Sequence, residues 1–98
     1  KLEFARTHAL DLDTLRARVR ERVAWYAQKY PQYDLASHHR WTSDRRVEGS
    51  YRGGSGVATL DEREARLVLE LPFFARVFKD KITGFVEREL DAVLGPKA

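Results

Sequence analysis

Residues 66–71 (Arg-Leu-Val-Leu-Glu-Leu) run straight into Pro72, and an apolar pattern of helical period follows at once. This switch constrains the fold more than any other feature of the chain. The Leu/Val run reads as a buried strand. Proline has no N–H to give to a ladder, so the strand stops there. Phe74, Phe78, Ile82, Phe85, Val86, Leu90, Val93 and Leu94 then recur at helical spacing and predict the apolar face of a closing helix. Gly84 lies inside that pattern, at a cost of about 1 kcal/mol relative to Ala, and Gly95-Pro96 is a stop signal. A strand that feeds directly into an amphipathic helix requires a sheet and a helical layer with a shared core.

The same alternation of periods runs through the rest of the chain. Leu2 and Phe4, with His8 further on, alternate with polar neighbours and read as a half-buried strand. Asp11 and Asp13 offer capping oxygens ahead of a stripe formed by Leu12, Leu15, Val19, Val23, Tyr26 and Tyr30, and Pro31 ends that helix. Beyond Pro31 the period becomes two, with Tyr33, Leu35, Ser37, His39 and Trp41 on one face of an expected strand. Ser43-Asp44-Arg45 and Gly53-Gly54-Ser55 read as hairpin turns, with Val47–Tyr51 and Val57–Leu60 as the strands around them. Asp61–Glu64 is a charged turn before the fourth strand, Ala65–Leu71.

The 98 residues are expected to form a single α+β domain, residues 1–98, in the order β-α-β-β-β-β-α. Two long helices should pack on one side of a curved antiparallel sheet, as in TBP-like and helix-grip folds. Leu15, Val19, Val23, Tyr26, Leu69, Leu71, Phe78, Ile82, Phe85 and Leu90 are expected to be buried together. Truncating Phe78 or Leu69 to Ala should then cost about 2–5 kcal/mol.

Composition narrows the function classes. With no Cys, a disulfide framework, a thiol nucleophile and a thiolate metal site are all excluded. No apolar run approaches the ~20 residues that span a bilayer, and the default expectation is a cytoplasmic protein. Net charge is +3, and thirteen of the eighteen cations are Arg, which favours bidentate contact with carboxylates and phosphates.

Several segments resemble the polyhydroxyalkanoic acid system family, small bacterial proteins named for genes near polyhydroxyalkanoate storage loci. They are Phe4-Ala-Arg-Thr-His-Ala-Leu10, Trp41 with Val47, Gly56-Val57, Leu69-Glu-Leu-Pro-Phe73, Phe78-Lys-Asp-Lys-Ile82 and Leu90-Asp91. The resemblance covers nearly the whole chain. His38-His39-Arg40 departs from it, as does Pro72-Phe73-Phe74 in place of a glycine-containing turn. The resemblance implies an accessory or binding role in polyhydroxyalkanoate metabolism or at the granule, with the granule or a granule protein as partner, and it implies no catalytic residues.

The residues point to no enzyme and to no cofactor or metal. His38 and His39 are adjacent on an expected strand and would face opposite ways, which disfavours chelation. No serine lies in a Gly-x-Ser-x-Gly elbow, and Gly53-Gly54-Ser55-Gly56 lacks the Lys and the helix of a phosphate loop. Two sets of candidate binding residues remain. Arg40, Arg46 and Arg52, with Glu48 among them, would form a polar sheet face suited to nucleic acid or, together with Ala36, Ala58 and Val68, to a homodimer contact. Tyr33, Trp41, Tyr51, Phe74 and Phe78 are candidates to line a cavity for a small apolar ligand.

Overall fold

The computed structural model describes residues 1–95, with Ala36 described by its backbone alone. In chain order the elements are β1 (Leu2–Thr7), α1 (Leu12–Lys29), a 3-10 turn (Pro31–Tyr33) and the short α2 (Leu35–His38). β2 (His39–Ser43), β3 (Arg46–Tyr51), β4 (Gly54–Leu60) and β5 (Glu64–Glu70) follow, then a 3-10 segment (Phe73–Phe78) and α3 (Lys79–Leu94). The strands make one antiparallel sheet in the order β1-β5-β4-β3-β2. The architecture is α+β, as expected: a five-stranded antiparallel sheet with two long helices.

This strand order dictates the course of α1. β1 occupies one edge of the sheet and β2 the other, four spacings or roughly 19 Å apart. The 18 residues of α1 reach about 27 Å, enough to cross the sheet diagonally between the two edges. Asp11 caps the helix by accepting from the Thr14 N–H at 2.8 Å. That bond from the backbone, helped by the Thr14 hydroxyl, holds the Asp11 carboxyl below its ordinary range.

α3 returns antiparallel to α1. Tyr26 meets Phe85, Arg22 meets Glu89, and Arg18 donates to the Val93 carbonyl at 3.2 Å. At the sheet edge, Arg6 of β1 donates to Glu87 at 2.5 Å and to Asp91, tying α3 to β1.

Pairing registers define the face that the helices cover. Leu67 lies opposite Phe4 and Ala58, Ala58 opposite Val47, and Leu60 opposite Ala65. Leu15, Leu60 and Ala65 form the buried cluster, with Trp41, Val19, Val93 and Leu94 packed around it. Val86 of α3 is buried as well.

The hairpin turns follow local chemistry. Arg52 and Gly53 have φ of 48° and 86°, the pair of positive values that a two-residue type I′ turn requires. Gly54 therefore already belongs to β4, and Arg52 sits in the turn rather than on a strand face. At the opposite end, the Asp61 carboxylate accepts from the N–H groups of Arg63 and Glu64, both at 2.8 Å, and these bonds lower its pKa.

Four expectations are corrected. The alternation from Tyr33 to Trp41 does not form one strand. Pro31 starts a 3-10 turn, Asp34 takes a left-handed conformation at φ 47°, and residues 35–38 coil before β2 begins at His39. Asp tolerates that conformation better than most residues, which allows the chain to break its extended run. The last helix begins at Lys79, not at Phe74. Pro72 abuts the β3–β4 hairpin, so residues 73–78 start where the sheet ends and have little to cover. Of the ten residues expected to be buried together only Leu15 is buried; Phe78 and Phe85 are about half-exposed and the other seven are partly buried. Finally, Ala58 faces the helices and not the outer surface.

Candidate functional site

The space between the helices and the sheet is not filled. Gly49, Gly54, Gly56 and Ala58 fall on the helix-facing side of β3 and β4, and none carries more than a methyl group. Two hollows result. One, of about 400 Å³, lies under the C-terminal half of α1 between Val23, Tyr26, Leu35 and the glycine floor. The other, of about 390 Å³, lies beneath α3 between Val19, Leu67, Leu69, Ile82 and Leu90. They share Ala58 and Leu67 and together form one trough whose lining is almost wholly apolar. Tyr51 and Gly54 of the β3–β4 hairpin are part of the lining.

Total exposure agrees with this openness. A folded monomer of 11.4 kDa exposes about 5,800 Å², whereas this chain exposes 7009 Å². An open trough and the uncovered apolar residues after Pro72 contribute to the excess.

Polar groups at the trough are few and fixed. Tyr26 lines the first hollow and Glu89 the second, and they meet where the hollows adjoin. The Glu89 carboxylate accepts the Tyr26 hydroxyl and two bonds from Arg22, at 2.7 and 3.1 Å. Burial pushes the Tyr26 phenol up to about 12, and the hydrogen bond to Glu89 adds to the shift. Burial would also raise Glu89, but Arg22 and Tyr26 together outweigh it and hold the carboxyl below its ordinary value.

His38 and Glu48 are among the residues that line the first hollow. The buried His38 Nδ1 has no hydrogen-bond partner among the described residues, and its ring lies 5.1 Å from that of Tyr51.

The sequence candidates fall in different places. Tyr51 lines the trough. Tyr33 is exposed and meets Tyr51 edge-on at 5.6 Å. Trp41 packs on the buried cluster, with the Arg20 guanidinium 5.0 Å above its ring. Phe74 and Phe78 point to solvent outside the trough. Glycines 49, 54 and 56, which shape the floor, were not recognisable as site residues. Gly54, Gly56 and Ala58, small residues at alternate positions of one strand, are the one local signal that pointed to part of this floor.

On the outer face, Arg40 lies opposite Glu48, and Arg46 donates to Glu48 at 2.8 Å. Arg52 is in the hairpin, its guanidinium 5.3 Å over Tyr51. The four residues thus do not make a continuous basic surface. His8 is structural: its Nδ1 accepts from the Leu10 N–H at 3.1 Å, which leaves Nε2–H to donate to the Asp61 carbonyl at 2.8 Å. His39 donates from Nδ1 to the Leu35 carbonyl at 2.5 Å. Among the described residues no three acidic or histidine side chains come together around a metal-sized space.

Fold and site together define a small α+β protein with an open apolar trough between its helices and its sheet. The chain belongs to the polyhydroxyalkanoic acid system protein family, whose model matches residues 2–94. No curated protein and no solved structure matches it. No helix of the described residues is long and apolar enough to cross a membrane.

Proposed function

We propose that the protein is a non-catalytic binding module of the polyhydroxyalkanoate system, which holds an aliphatic chain in the trough between its helices and its sheet. The observation that carries this reading is the nearly all-apolar lining of two adjoining hollows of about 400 and 390 Å³. Space of that size and character suits a flexible hydrocarbon chain. In this reading the helices grip the ligand against the sheet, in the manner of helix-grip folds, and the family context makes hydroxyalkanoate monomers and oligomers the first ligands to try.

The outer-face alternative, nucleic-acid binding, has weaker support, because Glu48 neutralises Arg46 and lies opposite Arg40. Titration calorimetry with 3-hydroxydecanoate and its short oligomers tests the trough. Ala58 is shared by both hollows, so Ala58→Phe should abolish binding, and the smaller Ala58→Leu should weaken it while circular dichroism stays native. Absence of binding to the unaltered protein, or undiminished binding to both variants, would overturn the reading. Granule fractionation of producing cells checks the setting: a role at the granule requires part of the protein to sediment with the polymer.

A further inference from the structure

Of the six residues in the 3-10 segment Phe73–Phe78, only Ala75 is half-buried. Phe73 is 86% exposed, Phe74 68%, Val77 81% and Phe78 52%. In a 3-10 helix residues three apart stand in line. Phe74 and Val77 therefore form one apolar row, with Phe73 and Arg76 beside it. The segment is held in place at its start, because the Pro72 ring sits where a Cβ on Gly54 would meet it at 3.2 Å. Three large aromatic residues and a valine thus form an exposed ledge that begins beside the β3–β4 hairpin.

The charges around the ledge indicate what it meets. Arg76, Lys79 and Lys81 are exposed and make no ion pair among the described residues, and Asp80 is the one acid between Pro72 and Ile82. A two-fold contact with a second copy would oppose this basic rim to itself, since an isologous interface pairs a patch with its own image. Aromatic and aliphatic side chains flanked by unpaired cations match an anionic lipid surface instead, where the rings enter the headgroup layer and the cations meet phosphate.

We infer that residues 72–82 dock the protein peripherally on an anionic phospholipid surface, with Phe73, Phe74 and Val77 inserted and Arg76, Lys79 and Lys81 at the headgroups. The inference stands independently of any ligand in the trough.

Co-sedimentation of the full chain with large vesicles tests it, comparing pure phosphatidylcholine with phosphatidylcholine containing about a quarter phosphatidylglycerol. Binding should be at least about tenfold stronger to the anionic vesicles and should fall steeply as salt approaches about 1 M, where charges are screened within roughly 3 Å. Replacing Phe73, Phe74 and Val77 together by Ser should reduce binding at least about tenfold. Arg76→Gln, Lys79→Gln and Lys81→Gln together should erase the preference for anionic lipid. All six side chains are exposed, so native circular dichroism is expected of both variants. Three results would overturn the inference: no sedimentation with anionic vesicles at low salt, equal binding by the Ser variant, or a dimer in light scattering that the Ser substitutions dissolve.

Discussion

Glu89 of α3 is gripped by Arg22 of α1 through two hydrogen bonds, at 2.7 and 3.1 Å, across the gap between the helices. Tyr26 donates a third bond from one turn further along α1. Because the trough keeps the helices from packing closely on the sheet, this polar clasp takes over part of the work of holding α3 in place. Glu89→Ala strands a half-buried guanidinium and a phenol, and a loss of about 1–2 kcal/mol is expected by urea unfolding, toward the lower end for hydrogen bonds to charged groups because solvent reaches the cluster.

The clasp also gives the protein a dependence on acid. The folded-state pKa of Glu89 is lowered, so the native state binds its proton less readily than the unfolded chain does. Its stabilisation is complete above the unfolded carboxylate range and is lost as pH falls through the lower, folded value. Urea midpoints measured from pH 6 down to pH 3 should decline, and Glu89→Gln should flatten part of that decline.

At the alkaline end the sign reverses. Tyr26 is raised from 10.0 to about 12, so the native state holds a proton that the unfolded chain releases first. The stabilisation is intact below pH 10 and fades between pH 10 and about 12. Phenolate absorbance should show one late-titrating tyrosine that Tyr26→Phe removes, together with the associated loss of stability.

Core truncations should separate sharply. Leu15 is fully buried, and Leu15→Ala should cost about 2–5 kcal/mol. Phe78 reads from the sequence as an equally costly site, but it is half-exposed. Phe78→Ala should cost less than about 1 kcal/mol, in line with a surface position. Thermal melts of the two variants check the contrast directly.

The β3–β4 turn supplies a backbone test. Gly53 has φ 86°, a conformation that strains any residue with a Cβ. Gly53→Ala should destabilise by about 1 kcal/mol, whereas Gly84→Ala, at a helical position with only the Arg88 side chain within reach, should stabilise slightly. Opposite shifts in unfolding midpoint are the expected result.

What the sequence determined by itself is what local chemistry and periodicity encode. The stripe from Leu12 to Tyr26 specified α1, Asp11 its cap, Pro31 its end, Gly53 the hairpin and Pro72 the end of the last strand. Each acts within a few residues, so no tertiary information is needed to read it. The segments that resemble the polyhydroxyalkanoic acid system family were equally legible, since a motif is a property of the chain itself.

Only the tertiary structure decided which apolar residues are covered. Phe74 and Phe78 have the spacing of a core stripe, yet Pro72 places them beyond the end of the sheet, and spacing says nothing about where a surface stops. Residues 33–38 alternate like a strand, but Asp34 adopts a left-handed turn and no partner strand pairs with them. The trough itself arises because Gly49, Gly54, Gly56 and Ala58 come into register on one face. Those residues belong to two strands, and only pairing puts them side by side. An absent side chain leaves no hydrophobic signal, so the hollow they create is invisible until helices are laid across it.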